Sequence, residues 1–283
     1  MRPRIIEILN GYFNTDIFRF IIPDPAVIYA IMLGVGIIIY IRRCDKTGLS
    51  RKHSTGIALW VAISAMLGAR IFYLLQNIGD VINNPLMLLQ LNGATVSFGV
   101  YLGGIFGMLA YYAIHKIPVL IYADVIASVL GIGPMIGRMA CFLNGCDYGT
   151  VTGMPWAVRF PKNSYAYVDH LHQGWISGSS ELSLTVHPVQ FYSMLKGLVL
   201  FILFSYLWKK GYFKPGVLFF LFWVCYGMLR FIIEFFRGDM NRGWVGNLST
   251  GQFMSILLIS VSLFFISVIY RWKIIRVPVK NNR

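Results

Sequence analysis

Charged residues are scarce in this sequence, and acidic residues are the scarcest. Of the 283 residues only 13% are charged, with 11 Asp and Glu against 25 Lys and Arg, whereas 57% are hydrophobic and the mean hydropathy is +0.65. A soluble domain carries about 25% charged residues, so this chain could not cover its apolar surface with polar groups in water. The composition excludes a water-soluble protein and predicts an integral membrane protein.

Cysteine is also scarce, and its spacing argues against a metal centre. The four cysteines are Cys44, Cys141, Cys146 and Cys225. They form neither a CxxC pair nor a Cys/His cluster with the spacing of metal ligands. We therefore expect no metal and no cofactor.

The excess of positive charge does not indicate a nucleic-acid-binding protein, although the formal net charge is +14. Most Lys and Arg residues occupy short polar gaps between apolar runs rather than one face of an element. Membrane proteins use basic residues in such gaps to set their orientation. We expect membrane lipids, and no nucleic acid, among the partners.

The apolar runs predict an all-α membrane protein of about seven transmembrane helices, since a span needs about 20 residues. The runs lie near 24–41, 56–77, 95–114, 119–143, 187–208, 215–236 and 251–270. We interpret 1–283 as a single integral membrane domain. The polar stretch 144–186, between the fourth and fifth runs, is predicted to be a small periplasmic head.

The distribution of basic residues predicts the orientation of the chain. The gaps at 42–54, 115–118 and 209–214 and the C-terminal tail contain most of the Lys and Arg outside the apolar runs. Positive charge is typical of the cytoplasmic side. We expect the N-terminus and the 144–186 head to be periplasmic and the C-terminus to be cytoplasmic.

Apart from Asp24 at the boundary of the first run, six charged residues fall inside the predicted spans. They are the basic residues Arg70, Arg138, Lys196 and Arg230 and the acidic residues Asp124 and Glu234. A charge at mid-span costs about 2.5–3.5 kcal/mol, so it is retained where it has a partner or a use. The arginines outnumber the central acid, and guanidinium groups match phosphate oxygens. A lipid phosphate at headgroup depth is the anion that would balance them.

Simpler interpretations of these charges remain open. Lys196 fits a side chain that snorkels to the interface, and Asp124 fits a helix cap. Arg230 and Glu234 are spaced for an intrahelical ion pair. Arg70 and Arg138 have no acid one turn away, so a structural role would need a partner on another helix.

The third predicted span is rich in glycine, at Gly99, Gly103, Gly104 and Gly107. Small residues of this kind are common where membrane helices pack closely. They would also allow a lipid headgroup to approach the backbone.

Several blocks of this sequence together resemble the bacterial prolipoprotein diacylglyceryl transferases. The blocks are GARIFY at 68–73, NPL at 84–86, GG at 103–104, GRMACFLNGCDYG at 137–149, MPWAVRFP at 154–161, HPVQFY at 187–192, YGMLRFIIEFFR at 226–237 and STGQ at 249–252. The resemblance covers residues 24–265.

The resemblance implies a phospholipid-dependent enzyme of the bacterial cytoplasmic (inner) membrane. That family transfers a diacylglyceryl group from phosphatidylglycerol to the thiol of a lipobox cysteine in a prolipoprotein and releases glycerol phosphate. Two alternatives remain: a phosphatidylglycerol-dependent transferase with another acceptor, and a non-catalytic phospholipid-binding paralogue.

The resemblance also implies roles for individual residues. Arg138 and Arg230 would hold the phosphate as it departs, and Glu234 would orient Arg230. Tyr29 and Tyr226 would line the lipid cavity. The remaining residues expected to contact substrate are Arg70, Gly103, Gly104, Asn144, His187, Gln190 and Arg237.

The sequence departs from the family where the family has its base. Leu102 occupies the family's His or Tyr position, and Cys146 occupies its Glu position, beside Asp147. Cys141 stands at the signature's first Asn. We favour proton transfer supported by Tyr101 and Asp147.

Two of these positions allow a catalytic and a structural interpretation. Cys146 is either a covalent nucleophile or a small packing residue, and we favour packing. His187 is either a base or a hydrogen-bonding residue at a helix start, and we favour the second.

Overall fold

The computed structural model describes residues 25–88, 97–240 and 242–271 and consists almost entirely of helices. The helices are α1 (Pro25–Lys46), α2 (Arg51–Gln76), α3 (Ile78–Asn83), α4 (Ser97–His115), α5 (Val119–Val129), α6 (Ile132–Asn144), α7 (Tyr165–His172), α8 (Val189–Lys210), α9 (Val217–Glu234) and α10 (Thr250–Arg271). A 3-10 helix, Pro85–Leu88, follows α3, and a two-stranded antiparallel hairpin, β1 (Trp244–Val245) and β2 (Leu248–Ser249), precedes α10.

The predicted class, an all-α membrane protein, is confirmed. Within the described residues, five helices are long and apolar enough to cross a membrane: α1, α2, α8, α9 and α10. A sixth candidate is the pair α5 and α6, which is bent by 44°. The run near 95–114 corresponds to α4, whose apolar part Leu102–His115, the longest part with described side chains, is shorter than a span. The expected count of seven is therefore not confirmed, while a multi-pass membrane protein is.

The described chain divides into two compact units, of which the smaller is Ile37–Ala123. In this unit α2 packs on α4 through small residues. A Cβ on Gly68 would collide with the Gly99 carbonyl, and one on Gly103 would collide with the Ser64 carbonyl. Gly99 and Gly103, two of the glycines expected to allow close helix packing, do so here.

The larger unit contains the described residues up to Gly36 and from Asp124 onwards. Here α6 packs on α8, and α9 packs on α10. A Cβ on Gly197 of α8 would collide with backbone atoms of Gly131 and Met135, so these helices meet backbone to backbone. Asp124 caps α9, because its carboxylate accepts hydrogen bonds from Gly216 N (2.7 Å) and Phe219 N (2.9 Å).

The C-terminal end of α6 leads directly into the polar stretch. Gly145 has a φ of +72°, Cys146 N donates to Cys141 O (3.1 Å), and Gly145 N donates to Phe142 O (3.2 Å). This pair of hydrogen bonds is the Schellman motif, which ends a helix at a left-handed residue. It brings the side chains of Cys141 and Cys146 to the same side of the helix end.

The stretch 144–186 has a small core of its own. Tyr148, Phe160, Ala166 and Val186 are buried against one another. Its backbone then pairs with the chain beyond α9: Thr150 N donates to Phe236 O (2.9 Å) and Gly238 N donates to Tyr148 O (3.1 Å). These bonds hold the start of the stretch beside the end of α9, where the charged residues of the larger unit gather.

Candidate active site

An Asp147 carboxylate that joins two arginines forms the centre of the site. Asp147 Oδ2 accepts a hydrogen bond from Arg138 Nη1 at 2.5 Å, and Oδ1 accepts one from Arg237 Nη2 at 2.9 Å. Asp147 has a φ of +52°, a left-handed conformation that is uncommon outside glycine and concentrates at functional positions. Residues that lie far apart in the sequence thus share one ion-pair network.

Arg237 is the most heavily paired cation of the site. Its Nε and Nη2 donate to the two carboxylate oxygens of Asp239 at 2.8 and 2.6 Å. This fork-to-fork geometry fixes the plane of the guanidinium group. Arg242 adds a hydrogen bond from Nη1 to Arg237 O (2.6 Å) and lies 4.6 Å from the ring centroid of Trp244. Sequence reasoning missed Asp239 and Arg242, because neither lies in an apolar run.

Glu234 anchors the other arginine. Its side chain is 1% exposed, and its Oε2 lies 2.8 Å from Arg230 Nη2 and 3.7 Å from Arg237 Nη1. Its Oε1 accepts a hydrogen bond from Ser249 Oγ at 3.1 Å. A buried carboxylate with two guanidinium neighbours orients both of them. The i, i+4 pair expected from the sequence is present, but it belongs to a larger network.

The start of α10 is built around this carboxylate. Ser249 Oγ accepts from Gln252 N (3.1 Å), and Ser249 N donates to Gln252 Oε1 (3.0 Å), which is the reciprocal capping box of a helix N-terminus. A Cβ on Gly251 would lie 2.6 Å from Glu234 Oε2. Only glycine therefore fits between the helix start and Glu234.

The electrostatic environment keeps Asp147 ionised. Burial alone would raise the pKa of its carboxyl, but the guanidinium groups of Arg138, Arg237 and Arg230 outweigh that effect and lower the pKa. A carboxylate held in this way is a weak base. Its geometry fits the orientation of Arg138 and Arg237 better than the acceptance of a proton.

Two thiols lie beside Arg138. The sulfur atoms of Cys141 and Cys146 and a carboxylate oxygen of Asp147 lie within 4.8 Å of one another, close enough to share a metal ion. The same carboxylate is paired with two guanidinium groups, which repel a cation, so we still expect no metal. Tyr29 Oη lies 3.9 Å from Cys141 Sγ, which places the predicted cavity tyrosine at the thiols.

Cys146 has the features of a packing residue rather than of a nucleophile. Its Sγ is directed at Cys141 O, 3.6 Å away. A side-chain hydrogen bond with the Cys141 thiol and burial both raise the pKa of the Cys146 thiol, and a nucleophile needs the thiolate. A diacylglyceryl group attached to it would form a thioether, which has no leaving tendency towards a second thiol.

The residues near the start of α8 make structural contacts. Gln190 Nε2 donates to Cys146 O (2.7 Å) and thereby supports the loop that carries Asp147. Trp156 Nε1 donates to Tyr192 Oη (2.8 Å), and this hydroxyl lies 3.0 Å from His187 Nδ1. His187 is thus held by a hydrogen bond to Tyr192, and its role in substrate binding stays a prediction.

The other predicted site residues of the larger unit are Tyr226 and Asn144. Asn144 is exposed at the end of α6. Lys196 was interpreted as a snorkelling side chain, but it is only 6% exposed and its Nζ lies 4.0 Å from the centroid of the Tyr226 ring. That interpretation is wrong, because the side chain is buried against α9.

The predicted site residues of the smaller unit are Arg70, Gly103, Gly104 and Tyr101. The Arg70 guanidinium lies 5.4 Å from the Tyr73 ring on its own helix. Gly103 packs against α2, whereas a Cβ on Gly104 would have ordinary contacts. The side chain of Tyr101 lies outside the described part of the structure. Roles for these residues in substrate binding stay predictions.

Comparison with known proteins identifies the family of this chain. The model of the prolipoprotein diacylglyceryl transferase family matches residues 17–268. A Clostridium tetani phosphatidylglycerol--prolipoprotein diacylglyceryl transferase is 30% identical over 244 residues, covering 85% of this chain and 92% of that protein. Proteins of the same name from Photobacterium profundum (35% identity, 76% of each chain) and Erwinia tasmaniensis (33%, 93% of this chain and 96% of that protein) also match.

Proposed function

Since this chain belongs to the prolipoprotein diacylglyceryl transferase family, we propose that it transfers a diacylglyceryl group from phosphatidylglycerol to a cysteine thiol of a prolipoprotein and releases glycerol phosphate. The observation that carries this proposal is the ion-pair network in which Asp147 and Glu234 orient Arg138, Arg230 and Arg237. Such a network supplies fixed guanidinium groups to a phosphate.

The reaction is a displacement at the carbon of the diacylglyceryl group that is bonded to the phosphate. The cysteine sulfur forms a C–S bond with this carbon, and the C–O bond to phosphate breaks with its electron pair going to oxygen. The phosphate thereby gains a second negative charge in the transition state. Preorganised donors directed at developing charge are the strongest general means of stabilising such a state.

We assign this stabilisation to Arg138 and Arg230. Arginine presents several N–H donors in a rigid fork and stays protonated, so it can bind two phosphate oxygens at once. Asp147 and Glu234 fix the two forks before substrate arrives. We assign Arg237 to positioning, because Asp239, Asp147 and Glu234 already occupy its donors or lie beside them.

The thiol proton must leave during this displacement. The lowered pKa of Asp147 leaves its carboxylate a weak base. Of the two residues favoured from the sequence, Tyr101 therefore remains the candidate acceptor of the proton. Its phenol oxygen can take the proton only as the phenolate, so this role requires a neighbouring cation that lowers its pKa from the usual value of about 10. Asp147 is assigned to orienting Arg138 and Arg237. Cys146 has a packing role in this proposal.

We propose that the site opens towards the periplasm. The stretch 144–186 would form the periplasmic head of a single membrane domain, with the N-terminus periplasmic and the C-terminus cytoplasmic. The support is the excess of Lys and Arg in the gaps at 42–54 and 209–214 and in the C-terminal tail. A prolipoprotein cysteine at the periplasmic surface of the inner membrane would then reach Arg138.

The test is to incubate the purified protein with phosphatidylglycerol and to measure released glycerol phosphate. We expect release to require a peptide with a lipobox cysteine and to stop when that cysteine is replaced by serine. Release with an acceptor other than a thiol would support a transferase with another acceptor. No release with any acceptor would support a phospholipid-binding paralogue.

A further inference from the structure

Lys196 is a buried cation on α8 that has no carboxylate partner among the residues the structure describes. It is 6% exposed, and its Nζ lies over the ring of Tyr226. A charge inside a membrane span is retained where it has a partner or a use. The face of a tyrosine ring offsets only part of the cost of burying an ammonium group.

The packing of α8 on α6 places Lys196 beside the arginines. Gly197, the next residue, contacts the backbone of Met135 on α6. Arg138 follows Met135 by about one helical turn. The charges of Arg230 and Arg138 both act on the Lys196 ammonium group. Lys196 therefore belongs electrostatically to the cluster that the proposed function assigns to phosphate.

The three ion-paired guanidinium groups of this cluster are balanced by its three carboxylates without Lys196. The ion pairs join the guanidinium groups of Arg138, Arg230 and Arg237 to the carboxylates of Asp147, Glu234 and Asp239. Arg242 donates to backbone carbonyls at the end of α9, the negative end of the helix dipole. Lys196 is left as the positive charge that neither a carboxylate nor a carbonyl meets in the described residues.

We propose that Lys196 binds the phosphate of the donor lipid and makes the site selective for a phospholipid with one net negative charge. The inference deepens the proposed function and rests on it. The arginine–carboxylate pairs supply hydrogen bonds in fixed directions, whereas Lys196 adds a positive charge that no carboxylate of the described residues neutralises. This charge attracts an anionic headgroup. A zwitterionic headgroup carries its own ammonium group, which this surplus charge repels.

Lipid binding tests the inference without requiring transfer. Native mass spectrometry would compare binding of phosphatidylglycerol and phosphatidylcholine to wild type, Lys196→Met and Lys196→Arg. We expect the preference of wild type for phosphatidylglycerol to fall at least about tenfold in Lys196→Met and to be retained in Lys196→Arg. An unchanged preference in Lys196→Met, or no retention in Lys196→Arg, overturns the inference.

A matched control lies on the same helix. The Nζ of Lys210 also lies over a tyrosine ring, 5.4 Å from the centroid of Tyr206, but this lysine is exposed. Lys210→Met should leave the lipid preference unchanged. If Lys196 were only structural, Lys196→Met would lower the unfolding temperature while its folded fraction kept the wild-type preference, and that result also overturns the inference.

Steady-state kinetics separate charge from proton transfer. We expect Lys196→Met to raise the KM for phosphatidylglycerol with a smaller change in kcat, and Lys196→Arg to restore the KM. A kcat that falls equally in both variants, with loss of the low-pH limb of the rate profile, would make Lys196 a base and overturn the inference. Wild-type enzyme that binds phosphatidylglycerol selectively but releases no glycerol phosphate contradicts the proposed function alone.

Discussion

Replacing Glu234 by glutamine removes one negative charge from the most buried part of the ion-pair network. The carboxylate is 1% exposed and lies 2.8 Å from Arg230 Nη2 and 3.7 Å from Arg237 Nη1. Removing one partner of a buried ion pair costs about 3–5 kcal/mol. Glutamine has the same shape as the glutamate side chain and can still accept a hydrogen bond. Arg237 also retains its ion pairs with Asp147 and Asp239. We therefore expect Glu234→Gln to lower the free energy of unfolding by about 3 kcal/mol, the lower end of this range.

The same substitution should also reduce turnover. Arg230 loses the charge that holds its guanidinium group in place, and a displacement of about 1 Å from the productive position can cost about 10²-fold in rate. Equilibrium unfolding in a denaturing detergent would measure the stability, and thiol-dependent glycerol phosphate release would measure the rate. Glu181→Gln is the matched control, because Glu181 is exposed in the 144–186 stretch.

A double-variant cycle isolates the ion pair from other effects. Replacing Arg230 by methionine together with Glu234→Gln removes both charges, so its cost should be smaller than the sum of the two single costs. If Glu234→Gln unfolds like wild type and keeps wild-type turnover, Glu234 does not orient Arg230. Additive costs in the cycle would contradict the pairing even if each single variant is destabilised.

Four further outcomes follow from the structure. Arg138→Lys and Arg230→Lys should each lower turnover far more than stability, because a point charge replaces a bidentate fork; near-normal turnover in both would remove them from the site. A cysteine introduced at Ser179 should react with an impermeant maleimide in spheroplasts, and labelling confined to inverted vesicles would reverse the orientation. Cys146→Ala should keep most of the turnover, and a diacylglyceryl adduct trapped on wild-type Cys146 would contradict the packing role. Burial lowers the pKa of His170 below its usual value of about 6.5, so the unfolded chain binds a proton more readily and stability should fall as the pH drops below that value; His170→Gln should remove this dependence in unfolding experiments, and an unchanged pH dependence would assign it to other groups.

The long helices could be predicted from the sequence because hydropathy alone determines them. The runs at 187–208, 215–236 and 251–270 agree with Val189–Lys210, Val217–Glu234 and Thr250–Arg271 to within about two residues, the usual uncertainty of helix ends. The run at 119–143 is instead two helices with a bend. Both halves are apolar, so hydropathy has no signal for the break near Gly131.

The arginines of the site and the Arg230–Glu234 pair could also be predicted, but the carboxylate partners of Arg138 and Arg237 could not. Arg138 and Arg230 were recognisable as charges inside apolar runs. The Asp147 partner of Arg138 lies nine residues away, beyond the i+4 spacing of a helix, and meets it only because the helix ends in a left-handed turn. Asp239 lies in a polar segment where acids are ordinary, so only the backbone pairing beyond α9 shows its role.

The proposed function assigns the oriented guanidinium groups to the transfer of a diacylglyceryl group to a thiol. The most direct measurement is mass spectrometry of a lipobox peptide after incubation of the purified enzyme with phosphatidylglycerol labelled in its acyl chains. The proposed function requires a peptide whose cysteine carries the labelled diacylglyceryl group as a thioether, formed in equal amount to glycerol phosphate and lost in Arg138→Lys and Arg230→Lys. An unmodified peptide beside active consumption of phosphatidylglycerol, or a label attached to another group, would contradict it.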